Sequence, residues 1–412
     1  MKGIPEKVSS LFKINKVNTD NILANASRIC GDVPSRLACS DGEKSIADFL
    51  LNELSPYSDE FHKENFGARP FAATFIYKAI CIILFAGAIL FKFSEIIGNS
   101  VPACISSILC IVSFSLFAYK FLFNGRKLDY FFKKKTSTNL YFERFARCAP
   151  LNRVVFTSHL DSPKAMNSML YKVKSPVSFI ICSAVGNIVN FCAVNLYLLF
   201  GAPENSVIFG ALSSFCVLFG IFYVITFLLF DVKKAASGAG ASVIPSLCLC
   251  EYFKLLSDNS VRFANTEVCI LISGSEYPCH SGSYDFTDRR KRAFRDIPTT
   301  FISLEEITSA DMAVYSKNKN HDSISPAEVI KDIANTYDIK IKPEKAVTGS
   351  PACTPFEEAG FDCCSFGSSK DRIYPCLSHN SNALSSTTQK AVLDTLTIIS
   401  ETVKYYDNAV NR

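Results

Sequence analysis

His159 and Asp161 are the first residues whose types and spacing suggest chemistry. They stand in Ser158-His159-Leu160-Asp161, at the end of a β-branched apolar run. A carboxylate two residues beyond an imidazole can orient that ring as a metal ligand. Further carboxylates follow other apolar runs: Glu276 in Ser275-Glu276-Tyr277, and Glu305-Glu306 after Thr299–Leu304. His379 precedes the last helical segment. Imidazoles and carboxylates are the donors that borderline and hard cations take. A lone histidine is more often structural, but one with an aspartate two residues on, at a strand end, is a better ligand candidate.

The elements that must position these residues read as one α/β domain. Arg153–Ser158, Glu267–Ile272, Thr299–Leu304 and Phe361–Phe366 are short apolar or β-branched runs that predict buried strands. Glu43–Leu54 predicts an amphipathic helix with Ile46, Phe49, Leu50 and Leu54 on one face. Another helix is predicted from Ser237 to about Leu256, a further one through Ala293, and a C-terminal one over Ser385–Tyr406. Strands alternating with helices imply a mostly parallel, mixed sheet with helices on both faces. In such sheets, sites form at the carboxyl ends of strands.

Two apolar blocks, Phe71–Phe123 and Pro176–Phe230, interrupt this pattern. A bilayer core takes about 20 apolar residues as a helix. Ala72–Phe91, Val101–Phe123, Pro176–Phe200 and Ser206–Phe230 each meet that length, and short loops join them as two hairpins. The flanks outside the hairpins carry Arg69, Lys120, Arg126, Lys127, Lys133–Lys135, Lys172, Lys174, Lys233 and Lys234, whereas the hairpin loops carry only Lys92. The positive-inside rule then places the soluble domain and both termini in the cytoplasm, with a lipid bilayer as the first partner. No span has a central Asp, Glu or Arg, which argues against an ion-coupled transporter. Asn187, Asn190 and Asn195 in the third span read as interhelical hydrogen-bonding groups. The expected organisation is one soluble domain made of residues 1–70, 125–175 and 231–412, with hairpins at 71–124 and 176–230.

The 17 cysteines form no CxxC pair, and several lie within apolar runs, a pattern that fits a reducing compartment. Met1–Asp20 has no apolar core of a cleavable signal peptide. The net charge is +5, without zinc-finger spacing or an RNA-binding aromatic motif, so no nucleic-acid partner is expected.

Taken in order, several stretches resemble the zinc aminopeptidase family of paired-metal exopeptidases, which includes bacterial leucyl aminopeptidases, glutaminyl cyclases and the transferrin-receptor ectodomain. They are Arg36–Gly67, VVFTSHLDSP at Val154–Pro163, ASGAGASV at Ala236–Val243, SGSEYPCHSGS at Ser273–Ser283, FISLEEI at Phe301–Ile307, TPFEEAGFD at Thr354–Asp362, and the stretch from His379. The resemblance implies a zinc-exopeptidase-like fold. It makes His159 a zinc ligand with Asp161 orienting it, Glu276 the general base, Glu305 close to a ligand position, and His379 the last ligand. Two places depart from the family. Lys234 or Ala235 falls where the bridging aspartate belongs, and Tyr277 replaces a ligand glutamate. Asp231 would serve as the bridge only if the backbone shifted by about one helical turn. An ammonium and a phenol do not supply the anionic oxygens that paired dications need, so zero or one zinc ion is expected rather than two.

The leading expectation is a degenerate, membrane-embedded exopeptidase-fold protein that acts by binding a peptide or membrane-protein partner. An active metallopeptidase with an altered or single-zinc site is the alternative. A four-span channel or transporter with a regulatory domain is a third reading.

Overall fold

The computed structural model describes residues 7–8, 11–123, 125–166, 176–200, 207–235, 238–277, 279–316, 325–343, 352–368 and 386–409. Along the chain come β1 (Lys7–Val8), β2 (Lys13–Ile14), α1 (Lys16–Asp32), α2 (Asp41–Leu54), β3 (Glu60–Ala68), α3 (Ala72–Ile97) and α4 (Ser100–Phe117). After them come β4 (Lys135–Arg144), β5 (Asn152–His159), β6 (Lys164–Met166), α5 (Pro176–Phe200), α6 (Val207–Leu229), β7 (Phe230–Ala235), α7 (Ile244–Asp258) and β8 (Thr266–Ser273). The chain closes with α8 (Ser281–Arg290), β9 (Thr299–Leu304), β10 (Met312–Tyr315), α9 (Pro326–Thr336), β11 (Ile341–Pro343), α10 (Thr354–Glu358), β12 (Asp362–Ser368) and α11 (Ser386–Ala409). Two compact units result. One is Met1–Pro70, Lys134–Pro163 and Ala235–Arg412; the other is Phe71–Lys133 and Lys164–Lys234.

The first unit is built on an eight-stranded mixed sheet of order β11-β10-β12-β9-β5-β8-β4-β3. Its centre, β12-β9-β5-β8, is parallel. β8 is buried along its whole length, as a strand covered on both faces should be. Alternation divides its side chains between two cores. Val268, Ile270 and Ile272 face the larger core, with Ile46, Leu50, Leu247, Val392 and Leu396 from helices. Cys269 and Leu271 face the smaller one, with Phe286 and the Phe301–Phe356 stack at 4.2 Å between ring centroids. Helices therefore cover both faces, and the fold class expected from the sequence is the one observed.

Element boundaries differ for identifiable reasons. α2 begins at Asp41, ahead of Glu43, because Ser40 Oγ accepts the Glu43 N–H (3.3 Å) and caps the helix. The helix expected from Ser237 opens instead as a π-turn over Ala239–Val243 before α7. β3 and β4 lack the apolar runs that predict strands. β3 alternates exposed residues (Phe61, Lys63, Asn65) with partly buried ones (His62, Glu64), and β4 buries polar residues through Ser137, Thr138 and Asn139.

The second unit is a bundle of α3, α4, α5 and α6 with an interior that includes Ala88, Phe91, Ala103, Ala193, Tyr197 and Tyr223. Asn190 Nδ2 donates to Cys110 Sγ (3.2 Å), and Asn195 Nδ2 donates to Ser107 Oγ (3.1 Å), so both asparagines tie α5 to α4. Gly186 lies against α6: a Cβ there would stand 2.7 Å from the Phe219 ring and 2.8 Å from Tyr223 Oη. Gly186→Val is expected to force the two helices apart and cost about 2 kcal/mol. Thermal unfolding in detergent checks this; a melting point equal to wild type would refute the close packing.

Among the described residues, five helices are long and apolar enough to cross a membrane. Four belong to the bundle, and each has only 22% to 39% of its apolar window buried inside the protein. The fifth, Ala239–Asp258, is 89% buried, as befits a helix apolar on all sides in a soluble core.

Candidate functional site

The candidate residues gather around the turn that leaves β8. Two non-glycine residues in it have positive φ, Ser275 (+53°) and His280 (+49°). Each costs on the order of 1 kcal/mol, so the surroundings must hold them.

Three buried side chains do so. Glu43 reaches the turn from the first residues of α2. Its Oε1 accepts the Ser275 N–H (2.6 Å), and its Oε2 accepts the Cys39 N–H (2.7 Å) and the Ser137 hydroxyl (3.0 Å). Asn139 of β4 accepts the Gly274 N–H (3.1 Å) and donates to the Gly282 carbonyl (2.9 Å). Asp161 accepts the N–H of Glu276 on Oδ1 (3.0 Å) and that of Tyr277 on Oδ2 (2.9 Å). The approach at Gly282 is close enough that a Cβ there would overlap the Gly274 carbonyl oxygen.

His159 ends β5 and is almost fully buried. Its Nδ1–H donates to the Asp161 carbonyl oxygen (2.9 Å), and the Asp161 carboxylate lies 3.5 Å from the same nitrogen. With the proton on Nδ1, the lone pair of the neutral ring is on Nε2. Burial lowers the affinity of this ring for a second proton, but Asp161 and Glu276 outweigh it and leave the pKa raised. The Tyr277 ring packs edge-on at 5.0 Å between centroids. Asp161 thus does more than orient the imidazole: its carboxylate is held mainly by the two backbone amides.

Glu276 is similarly occupied. Oε1 accepts the Ser283 N–H (2.7 Å) near the start of α8, and Oε2 accepts from His280 Nδ1 (3.0 Å). Burial alone would raise its pKa, but His280, the Ser283 amide and His159 together hold it below the usual glutamate value. It is an ionised carboxylate that caps a helix. Glu305 leaves β9 and accepts the Ala352 N–H on Oε1 (2.9 Å).

The remaining predicted ligands fall elsewhere. His379 lies outside the described residues. Asp231 and Lys234 lie in β7, whose side chains there are likewise outside the description. In a strand, three residues span about 10 Å, so a slide bringing Asp231 to the place of Lys234 would be large. Among the described residues, no three His, Cys, Asp or Glu side chains converge to hold a metal. Of the expected ligands, only His159 and Glu305 are among the described side chains, and Tyr277 stands in place of a ligand glutamate, so the described donors do not by themselves make up a paired-metal centre.

The fully buried Arg36 completes the arrangement. Its Nη1 donates to the Val33 carbonyl (2.8 Å), and its guanidinium stands beside Gly238. Burial lowers its pKa, and the Asp161 charge partly restores it.

Sequence reading missed Glu43, Arg36 and His280. Glu43 had a signal: with Ile46, Ala47, Leu50 and Leu54 it lies on the apolar stripe of α2, where a carboxylate must be buried. His280 had one too, four residues after Glu276.

The sheet order and the helices on both faces make an α/β fold of the kind seen in zinc-dependent exopeptidases, with a polar cluster at the carboxyl ends of β5 and β8. The chain is similar to solved structures of that kind. A glutaminyl cyclase from Fimbriiglobus ruber aligns with a TM-score of 0.53 at 11% identity, over 98% of this chain and 99% of the other. A zinc aminopeptidase from Bacillus subtilis aligns at 0.51 and 11% identity, over 93% and 95%. A Zn-dependent exopeptidase from Parabacteroides distasonis aligns at 0.50 and 11% identity, over 96% and 99%. No family model matches the sequence. No curated protein matches it either.

Proposed function

We propose that this is an integral membrane protein with four spans whose exopeptidase-like domain, on the cytoplasmic side, works by binding a peptide or membrane-protein partner rather than by hydrolysis. The observation that carries the reading is the occupancy of the carboxylates. Asp161 is committed to two backbone amides and Glu276 to an amide and an imidazole, all at hydrogen-bond distance. A general base needs a lone pair aimed at its water, and both Glu276 oxygens are turned toward protein donors, the His280 imidazole and the Ser283 amide. Tyr277 and Lys234 at the family's ligand positions support the same conclusion. The burial of Ala239–Asp258 supports four spans rather than five, and the lysines and arginines flanking the hairpins support the cytoplasmic assignment.

The test is metal analysis of detergent-purified protein together with turnover of aminoacyl and glutaminyl reporters. Zinc below one ion per chain and no turnover are expected. Two zinc ions per chain, or turnover lost in Glu276→Gln, would identify a working hydrolase instead.

A further inference from the structure

The segment that closes the first hairpin has a face for which the bundle has no use. It is a short 3₁₀ turn, Lys127–Phe131. Leu128 and Phe132 turn inward against the cluster of Ile76, Ile80, Leu84 and Tyr223. Tyr130 and Phe131 turn outward and are 72% and 86% exposed, and Phe123 just before them is 77% exposed. Arg126, Lys127 and Lys133 are exposed around these rings. The only acid in the stretch, Asp129, does not offset them. It is bound to the buried ammonium of Lys120 at 2.6 and 2.7 Å, so its charge is already neutralised.

We infer that this segment is an anionic-lipid anchor: Phe123, Tyr130 and Phe131 enter the membrane interface while Arg126, Lys127 and Lys133 hold phospholipid headgroups of negative charge. The inference rests on the membrane reading above and adds a lipid class to it. Three features favour a lipid surface as the occupant. The rings follow in the chain after α4, whose Val101, Ile105, Ile108 and Val112 form an exposed apolar row. Amphipathic aromatic rings prefer the headgroup level of a bilayer. The cations match the negative potential of an anionic leaflet, where each gives about a five-fold preference over a neutral surface.

The chain has no tryptophan, so Phe131→Trp introduces a single fluorescent reporter at the most exposed of the three rings. The full chain carrying it is reconstituted into nanodiscs of mixed phosphatidylglycerol and phosphatidylcholine, with bromine on the acyl chains of one lipid or the other. Brominated phosphatidylglycerol should quench several-fold more than brominated phosphatidylcholine at equal mole fraction. The triple change Arg126→Gln, Lys127→Gln, Lys133→Gln should abolish that preference while leaving quenching by total brominated lipid in place. Equal quenching by the two lipids in the unmodified background would overturn the assignment of charge. No quenching by either, in protein that has entered the nanodisc, would overturn the anchor altogether. Protein that stays out of nanodiscs and remains soluble would instead remove the membrane reading beneath it.

Discussion

Asp161→Ala is expected to cost about 3–5 kcal/mol, the range for removing one member of a buried charged network. The carboxylate is fully buried and accepts two backbone N–H groups, from Glu276 and Tyr277. Alanine leaves both amides desolvated and unpaired, and it takes away the negative charge nearest to Arg36 and His159. The turn would also lose one of the three braces that hold Ser275 and His280 at positive φ. In a domain of this size the melting point should fall by about 10 °C. Asp161→Asn keeps one acceptor and should fall between alanine and wild type. Differential scanning fluorimetry in detergent makes the comparison. A melting point within about 3 °C of wild type for the alanine variant would mean that the turn holds itself, contrary to the hydrogen bonds seen.

The second large effect is a loss of stability as pH rises, centred on Glu43. Burial, followed by the nearby Asp161 charge, raises its pKa from 4.5 to about 8, against the three hydrogen bonds that favour its ionised form. A carboxyl whose pKa is higher in the folded state binds a proton there that the unfolded chain releases. Its stabilising contribution is therefore complete below the unfolded pKa and disappears as pH rises through the folded one. Between pH 5 and 9 the protein should lose roughly 4 kcal/mol from this group. Glu143 contributes in the same direction, raised to about 7 by burial and by the adjacent Glu267. Glu43→Gln should flatten most of the slope and Glu43→Gln with Glu143→Gln still more of it, while His159, whose pKa is also raised in the fold, leaves a remainder of the same sign. Melting curves across that range measure it, and a slope unchanged by both substitutions would exclude Glu43 and Glu143 as its source. The two experiments are linked. Because Asp161 raises the pKa of Glu43, Asp161→Ala should also make the remaining pH dependence shallower.

Much of the frame was legible one residue type at a time. The strand ending in His159 reads from its β-branched run, and Thr299–Leu304 was bounded as observed. β3 and β4 were not legible, because β3 is an edge strand with exposed polar residues and the polarity of β4 reflects what it does for the site. Ser137 and Asn139 are buried polar residues of β4 that hydrogen-bond Glu43 and the Gly274–Gly282 turn, respectively. Spacing suggested Asp161 as the orienter of His159, and the family resemblance suggested Glu276 as base. Each also holds the backbone of the turn or of the helix after it.

The sequence by itself determined the apolar hairpins, the central strands and the position of His159. These depend on local composition and periodicity, which hydrophobic burial reads along the chain. Only the tertiary structure decided that Glu43 meets Ser275 across 232 residues, that Asp161 meets the amides of Glu276 and Tyr277 across 115 and 116, and that Ala239–Asp258 is a core helix despite a span-like composition. The reason is physical: a hydrogen bond depends on where distant donors arrive and at what angle, and the fate of an apolar helix depends on what surrounds it. Neither quantity is written in the order of residues alone.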